Sequence, residues 1–250
     1  VFLINTLTFA AMVIALLKMR SSELRVLPKA APGKGRIRAG LRYVRLRPDL
    51  MMVLLAVFIV GTFGLNFAVF IAAMARTEFG RDAGIFGLLN SVMAIGSVCG
   101  ALLSARRDKP RLRFVFGAAG AFGAACLVAA SAPTLLWFAV SLIPVGLFAL
   151  TLMTSANAYV QTTTTPVMRG RVMALYFAIF MGGTPVGAPL VGWVSNSFGP
   201  RWSLGVAAAS GLITAVVGFV WAWRAHHLRI HYDRTLPRRL HMTTRETEQD

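Results

Sequence analysis

Lys and Arg crowd into every second gap between long apolar runs, and this alternation constrains the fold more than any motif does. The gap from Lys18 to Asp49 holds ten basic residues against Glu23 and Asp49, whereas Arg76 to Asp82 holds two of each sign. Arg106 to Arg113 holds five bases and one acid; the turn at Ala132 and Pro133 is uncharged. Arg169 and Arg171 mark the next gap, Arg201 alone the one after, and the tail from Arg224 is basic again. Loops that alternate in this way follow the positive-inside rule of a polytopic membrane protein. The basic gaps and the C-terminal tail are then cytoplasmic.

Of the 250 residues, 56% are hydrophobic and 14% charged. A soluble domain carries about 25% charged residues. The net charge of +17 does not point to nucleic acid, because it is confined to the gaps and the tail. The runs between lack Asp, Glu, Lys and Arg for about 20 residues, or about 30 Å of helix, the thickness of a hydrocarbon core. The basic gaps are expected to meet anionic head groups, making membrane lipids a partner. Cys99 and Cys126 lie inside apolar runs and read as small packing residues, with no disulfide framework. The opening at Val1 has no basic n-region or cleavage site, so no signal peptide is predicted and the start reads as a fragment or a processed product.

The predicted spans are 1–17, 51–75, 84–105, 114–131, 134–160, 172–194 and 202–223. Backbone groups in lipid must pair within their own segment, so the spans are helices, and the fold class is an all-α membrane protein. Trp137, Trp193 and Trp202 fall at outer ends, and Tyr43, Tyr159, Trp221 and Trp223 near inner ends, as two aromatic belts would. The loop 18–50 opens with a Pro- and Gly-containing linker. It closes with an amphipathic helix, 36–47, whose stripe Ile37, Leu41 and Val44 is flanked by Arg38, Arg42 and Arg45 on one side and Arg36 and Arg47 on the other. That helix either lies in the membrane surface with its guanidinium groups on lipid phosphates or is a solvated linker. The tail 224–250 is polar, and its histidines, His226, His227 and His231 among them, read as solvated rather than metal-binding.

Four stretches resemble a known family: VFLINTLTF at 1–9, RAGLRYVRLRP at 38–48, PVMRGRVMALY at 166–176, and GGTPVGAPLVG at 182–192 followed by FGPR at 198–201. They are similar to the sixth, seventh and eleventh helices of a major facilitator superfamily transporter of the drug and siderophore exporter branch, the one that holds enterobactin-type exporters and macrolide efflux proteins. The resemblance covers nearly the whole chain. It implies the end of helix six (1–17), the central cytoplasmic loop (18–50), the C-terminal six-helix bundle (51–223) and the tail. The N-terminal bundle is then a missing partner. Helices seven and ten would line the cavity, eight and eleven would pack on the other half, and nine and twelve would face lipid. The chain departs from the family's Gly-x-x-x-Asp-Arg motif after helix eight: Ser104, Ala105 and Arg106 follow Gly100 without the acid, which puts a charge-relay gate in doubt.

The residues exclude an enzyme class. All nine carboxylates lie in loops, span ends or the tail, and all four histidines in the tail. No metal-ligand spacing or nucleophile–base pair is present, and no cofactor is expected. The spans also lack the ionisable group that proton coupling ordinarily places in the membrane, so a coupling carboxylate would belong to the other half. The remaining candidates are uncharged. Asn66 lies mid-span among Phe63, Phe67 and Phe70, and either faces a flat amphiphilic solute or bonds a neighbouring helix. In helix ten Thr151, Thr154, Ser155 and Asn157 form a second patch, facing the solute or bonded to the preceding turn. Pro144 in that helix is a candidate hinge, and Pro185 and Pro189 are expected to break the ladder of helix eleven.

Gly96 and Gly100, and Gly183 and Gly187, are small-residue grooves assigned to packing against the other half. Arg106, Arg107, Arg169 and Arg171 serve as a cytoplasmic gate or as topology charges. The expected function is the C-terminal half of a secondary exporter that moves a small amphiphilic solute (a drug, macrolide or siderophore) across a bacterial plasma membrane by alternating access. The alternatives are a nutrient importer of the same fold, a non-transporting membrane interaction protein and an inactive truncated half.

Overall fold

The computed structural model describes residues 2–18, 36–106, 111–226, 229–231 and 241–243. The chain divides into two units, Val1–Gly33 and Lys34–Asp250. Among its described residues the first contains the helix α1 (Phe2–Leu17), whose Phe9, Met12, Val13, Ile14, Leu16 and Leu17 are exposed. An apolar helix without a polar face suits a lipid environment.

The second unit begins with α2 (Arg36–Arg45). It ends short of the predicted position 47 because Arg47 precedes a proline and takes a non-helical conformation, φ −121° and ψ 88°. Pro48 then opens a span of 31 residues, Pro48–Glu78. This span is composite. α3 (Pro48–Ile59) runs into a π-turn over Val60–Gly64, the chain leaves helical geometry at Leu65 and Asn66, and α4 (Phe67–Ala73) leads into a second π-turn, Met74–Glu78. Four helices of unbroken assignment follow the turn at Gly80: α5 (Ala83–Ala105), α6 (Leu112–Ala130), α7 (Leu135–Thr163) and α8 (Pro166–Phe198). α9 (Pro200–His226) completes the bundle. In the tail, β1 (Arg229–His231) pairs antiparallel with β2 (His241–Thr243), Ile230 opposite Met242. Six helices among the described residues are long and apolar enough to cross a membrane, and the chain is an all-α membrane bundle.

α8 is longer than the predicted 172–194 at both ends. Thr165 and Pro166 start it, Pro taking the first-turn position where its missing N–H costs nothing, and Gly199 stops it at φ 101°. Its 33 residues span about 50 Å, so Arg169 and Arg171 ride on its first turns instead of in a loop. Helical structure runs unbroken past Pro144 in α7 and past Pro185 and Pro189 in α8. The interruption instead falls in a span without an internal proline, at the Val60–Gly64 turn, Leu65 and Asn66. There Gly64 is pressed so close to Ser210 of α9 and Phe122 of α6 that a Cβ would sit 2.8 Å from the Ser210 hydroxyl.

Packing runs in sequence: α5 on α7, α7 on α6, α6 on α9, α9 on α8, and α8 on the Val60–Gly64 turn, with α3 touching α6, α7, α8 and α9. Val53, Val57, Val60, Phe70, Phe122, Phe138, Leu142 and Leu152 are fully buried between them. α5 and α8 stay the barest: 17% and 22% of their most apolar stretches are buried, against 44% or more in the other spans. Leu88, Ile95, Val98 and Leu102 of α5 and Met181, Val186 and Trp193 of α8 are uncovered.

The two ends of the bundle are each tied across helices. At one end the Arg201 side chain donates from Nε to Glu78 Oε1 (2.9 Å) and from Nη2 to the Ala132 carbonyl (3.0 Å), joining three connections. At the other, Arg47, Asp49, Tyr159 and Thr163 meet. The gaps predicted outside therefore converge at one end, and gaps predicted inside at the opposite one.

The surface-helix expectation changes in register. α2 packs against α8, with Gly40 and Val44 buried and Gly40 close to the Arg171 backbone, while Leu41 is 41% exposed. The inward face is thus Gly40 and Val44, because glycine lets α2 approach α8 where leucine would not. The side chain of Ile37 lies outside the described residues.

Candidate functional site

The break in the first membrane span is where the polar groups of the bundle accumulate. Interrupting a helix in lipid frees carbonyls that no water can reach. Asn66 answers one of them: its Nδ2 donates to the Thr62 carbonyl at 2.7 Å, closing the ladder through a side chain. The Asn66 carbonyl in turn accepts from Val69 and Phe70, which starts α4. Asn66 is 4% and Thr62 1% exposed. Two atoms of the notch remain without a partner, Asn66 Oδ1 and Thr62 Oγ1, as do Ser104 Oγ, Thr151 Oγ1 and Arg169 Nε elsewhere among the described residues. Most other buried hydroxyls bond the preceding turn, as Ser141, Thr164, Ser203, Ser210 and Thr214 do; at this break two unpartnered atoms lie together.

The opposite wall of this notch is α8. A Cβ on Gly183 would overlap the Thr62 hydroxyl, and one on Gly187 would overlap the Thr62 carbonyl oxygen and lie 3.2 Å from Asn66 Nδ2. The assignment of Gly183 and Gly187 to packing on another half is therefore corrected: their groove is filled by the broken span of the same bundle. The same correction applies to Gly96 and Gly100, whose Cβ positions are taken by the Ile143 and Leu147 carbonyls of α7. Small residues permit close approach, and sequence does not name the neighbour that approaches.

Beside the notch, the aromatic residues are packed. Phe70 is fully buried, its ring edge-on to Phe67 at 6.4 Å, and Phe67 is edge-on to Phe122 at 6.2 Å. Phe70 is thus core and no cavity wall; Phe63 and Phe67 are half-buried. Asn66 neither faces open space nor bonds another helix, since its amide serves its own strand of backbone.

The helix-ten patch sits on a different seam. Thr151 is buried with Oγ1 unpartnered, next to Gly100 of α5. Thr154 bonds the Leu150 carbonyl at 2.7 Å, Ser155 is buried, and Asn157 accepts from Gln161. Since Asn66 meets α8 and Thr151 meets α5, the structure does not bring the two patches into one cavity. In α5 the polar residues Asn90, Ser91 and Ser97 all bond their own helix.

Of the arginines, Arg106 is exposed at the end of α5, and Arg107 lies outside the described residues. Arg169 is half-buried, with Nε unpartnered, and Arg171 donates to Met168 Sδ at 3.6 Å. A site the spacing did not single out surrounds Arg47. Its Nε and Nη2 grip Asp49 at 2.9 and 2.7 Å, Nη1 reaches the Thr163 carbonyl at 3.5 Å, and the Tyr159 hydroxyl donates to Asp49 at 3.0 Å. The hydrogen bonds to Asp49 raise the Arg47 pKa above its ordinary value, so the guanidinium stays charged. Arg47 thus points into the bundle, not onto lipid phosphate. The signal was present: a Pro flanked by Arg and Asp places an acid in the first turn, where the helix dipole favours it.

No group of His, Cys, Asp and Glu among the described residues could hold a metal ion. A search of curated proteins finds no match to the chain. The family described as transmembrane secretion effector, of the major facilitator type, matches residues 1–239. Six membrane-length helices and a match over nearly the full length lead to one conclusion: the chain belongs to this family of multi-pass membrane transporters of the secretion or efflux class, which points to a transporter rather than an enzyme.

Proposed function

We propose that this chain is the C-terminal bundle of a secondary exporter that moves a small amphiphilic solute, a drug, macrolide or siderophore, by alternating access. The observation that carries the reading is the broken span Pro48–Glu78, interrupted at Leu65 and Asn66 with two unpartnered polar atoms beside it. Discontinuous helices form the substrate sites of many transporters, because irregular backbone at membrane depth offers groups that a helix keeps for itself. Thr62 Oγ1 and Asn66 Oδ1 would meet a donor or hydroxyl of the solute when α8 moves off the notch. Neither atom is charged, which suits a neutral or weakly polar face of an amphiphile.

The bare faces of α5 and α8 support a second bundle as partner, since their large apolar side chains exceed what two packed neighbours cover. The Arg-rich end faces the cytoplasm of a bacterial plasma membrane, and the tail with it. Accumulation of a macrolide, a lipophilic dye and a catecholate siderophore in cells with and without the protein tests the reading. Lower accumulation of at least one solute is expected, with the effect lost in Thr62→Val. Equal accumulation of all three, whether or not the protein is present, would overturn it.

A further inference from the structure

We propose that Arg38, Arg42 and Arg45 of α2 form a binding site for the phosphate of an anionic glycerophospholipid. The three guanidinium groups follow one another at i, i+4 and i+7 and, with Leu41, line a cleft of about 280 Å³. Like charges at this spacing on a helix repel one another, so an anion between them relieves the repulsion. The ion pairs among the described residues involve Arg47 and Arg201, and none involves these three.

Placement selects a lipid over a soluble anion. α2 is held at a fixed height by Gly40 and Val44 against α8, and it ends just before Pro48, where the first membrane span of the bundle begins. Leu41 on α2 and Leu46 just past its end are 41% and 73% exposed, beside a helix rich in arginine. In water those leucines would be uncovered; at the head-group level they reach the upper methylenes of the same lipid whose phosphate sits in the cleft. A guanidinium fork matches phosphate oxygens in pairs, which favours Arg over Lys here. The inference is independent of which solute the bundle moves.

The test is native mass spectrometry of the full chain released from micelles containing phosphatidylglycerol and phosphatidylcholine. Phosphatidylglycerol is expected to remain bound in preference. Each of Arg38→Gln, Arg42→Gln and Arg45→Gln should cut that preference about 5-fold, and the triple variant on the order of 100-fold. Arg81→Gln, an exposed base at the opposite end, should leave it unchanged. All three arginines are exposed, so unaltered melting of the variants separates lost binding from lost folding. Retention of the preference in the triple variant would overturn the site. Displacement of the lipid by inorganic phosphate or glycerol 3-phosphate alone would overturn the lipid and leave a free-anion site.

Discussion

Gly187→Ala isolates the notch between α8 and the broken span. A methyl at Gly187 would overlap the Thr62 carbonyl oxygen and lie 2.6 Å from its carbon. Ordinary carbon–carbon contact is about 3.5–4.0 Å and the carbonyl oxygen lies nearer still than the carbon, so α8 must back away by more than about 1 Å. The obstacle is backbone and cannot rotate aside. Overpacking of this kind costs about 1–3 kcal/mol, and loosening the bond from Asn66 to the Thr62 carbonyl adds about 1 kcal/mol. Ala regains about 1 kcal/mol of helix propensity over Gly. The net expectation is a loss of about 1–3 kcal/mol, or roughly 2–12 °C in melting temperature on the scale of a domain this size. Tryptophan fluorescence of the detergent-solubilised protein during heating reads it. Gly192→Ala, on the same helix with nothing within 4 Å of its Cβ, should melt unchanged or slightly higher. Equal melting of the Gly187 and Gly192 variants would refute the close approach, and with it the packing of α8 on the break.

Thr62→Val removes a hydroxyl that has no partner, so it should hold or raise stability by about 1 kcal/mol while weakening solute binding; a loss of stability instead would mean the hydroxyl is bonded. Asp49→Asn should cost about 1–3 kcal/mol, and Tyr159→Phe about 1 kcal/mol, because the acid takes two bonds from Arg47 and one from Tyr159; equal effects would place the anchor elsewhere. A double-mutant cycle of Glu78→Gln and Arg201→Gln should give a coupling of about 0.5–1 kcal/mol that shrinks in salt, since both groups are partly exposed; Arg201→Gln alone should cost more, having also lost Ala132. In a Cys99→Ala, Cys126→Ala background, Asp82→Cys and Ser131→Cys should label from one compartment, and Arg45→Cys and Arg106→Cys from the other; a shared compartment would overturn the alternating topology.

The sequence by itself determined that the chain is an all-α bundle with helices long and apolar enough to cross a membrane repeatedly. Hydropathy and charge are sums over local residues, and lipid enforces them segment by segment, so no tertiary knowledge is needed. The ends of α8, at Pro166 and Gly199, lie outside the predicted 172–194, because hydropathy fades before the helix does. What touches what was decided only by tertiary structure. Gly96, Gly100, Gly183 and Gly187 announced close approach, yet α7 and the broken span, not a second bundle, fill their grooves. The prolines announced bends, yet the span that breaks has none inside it, because the crowding of Gly64 against Ser210 and Phe122 is a property of three helices together. Asn66 was legible as a costly polar residue and its bond to the Thr62 carbonyl is local, whereas the approach of Gly187 to that notch and of Phe122 to Phe67 depends on helices brought from more than 50 residues away. Local composition fixes a residue's preferences; only the packed bundle fixes its partners.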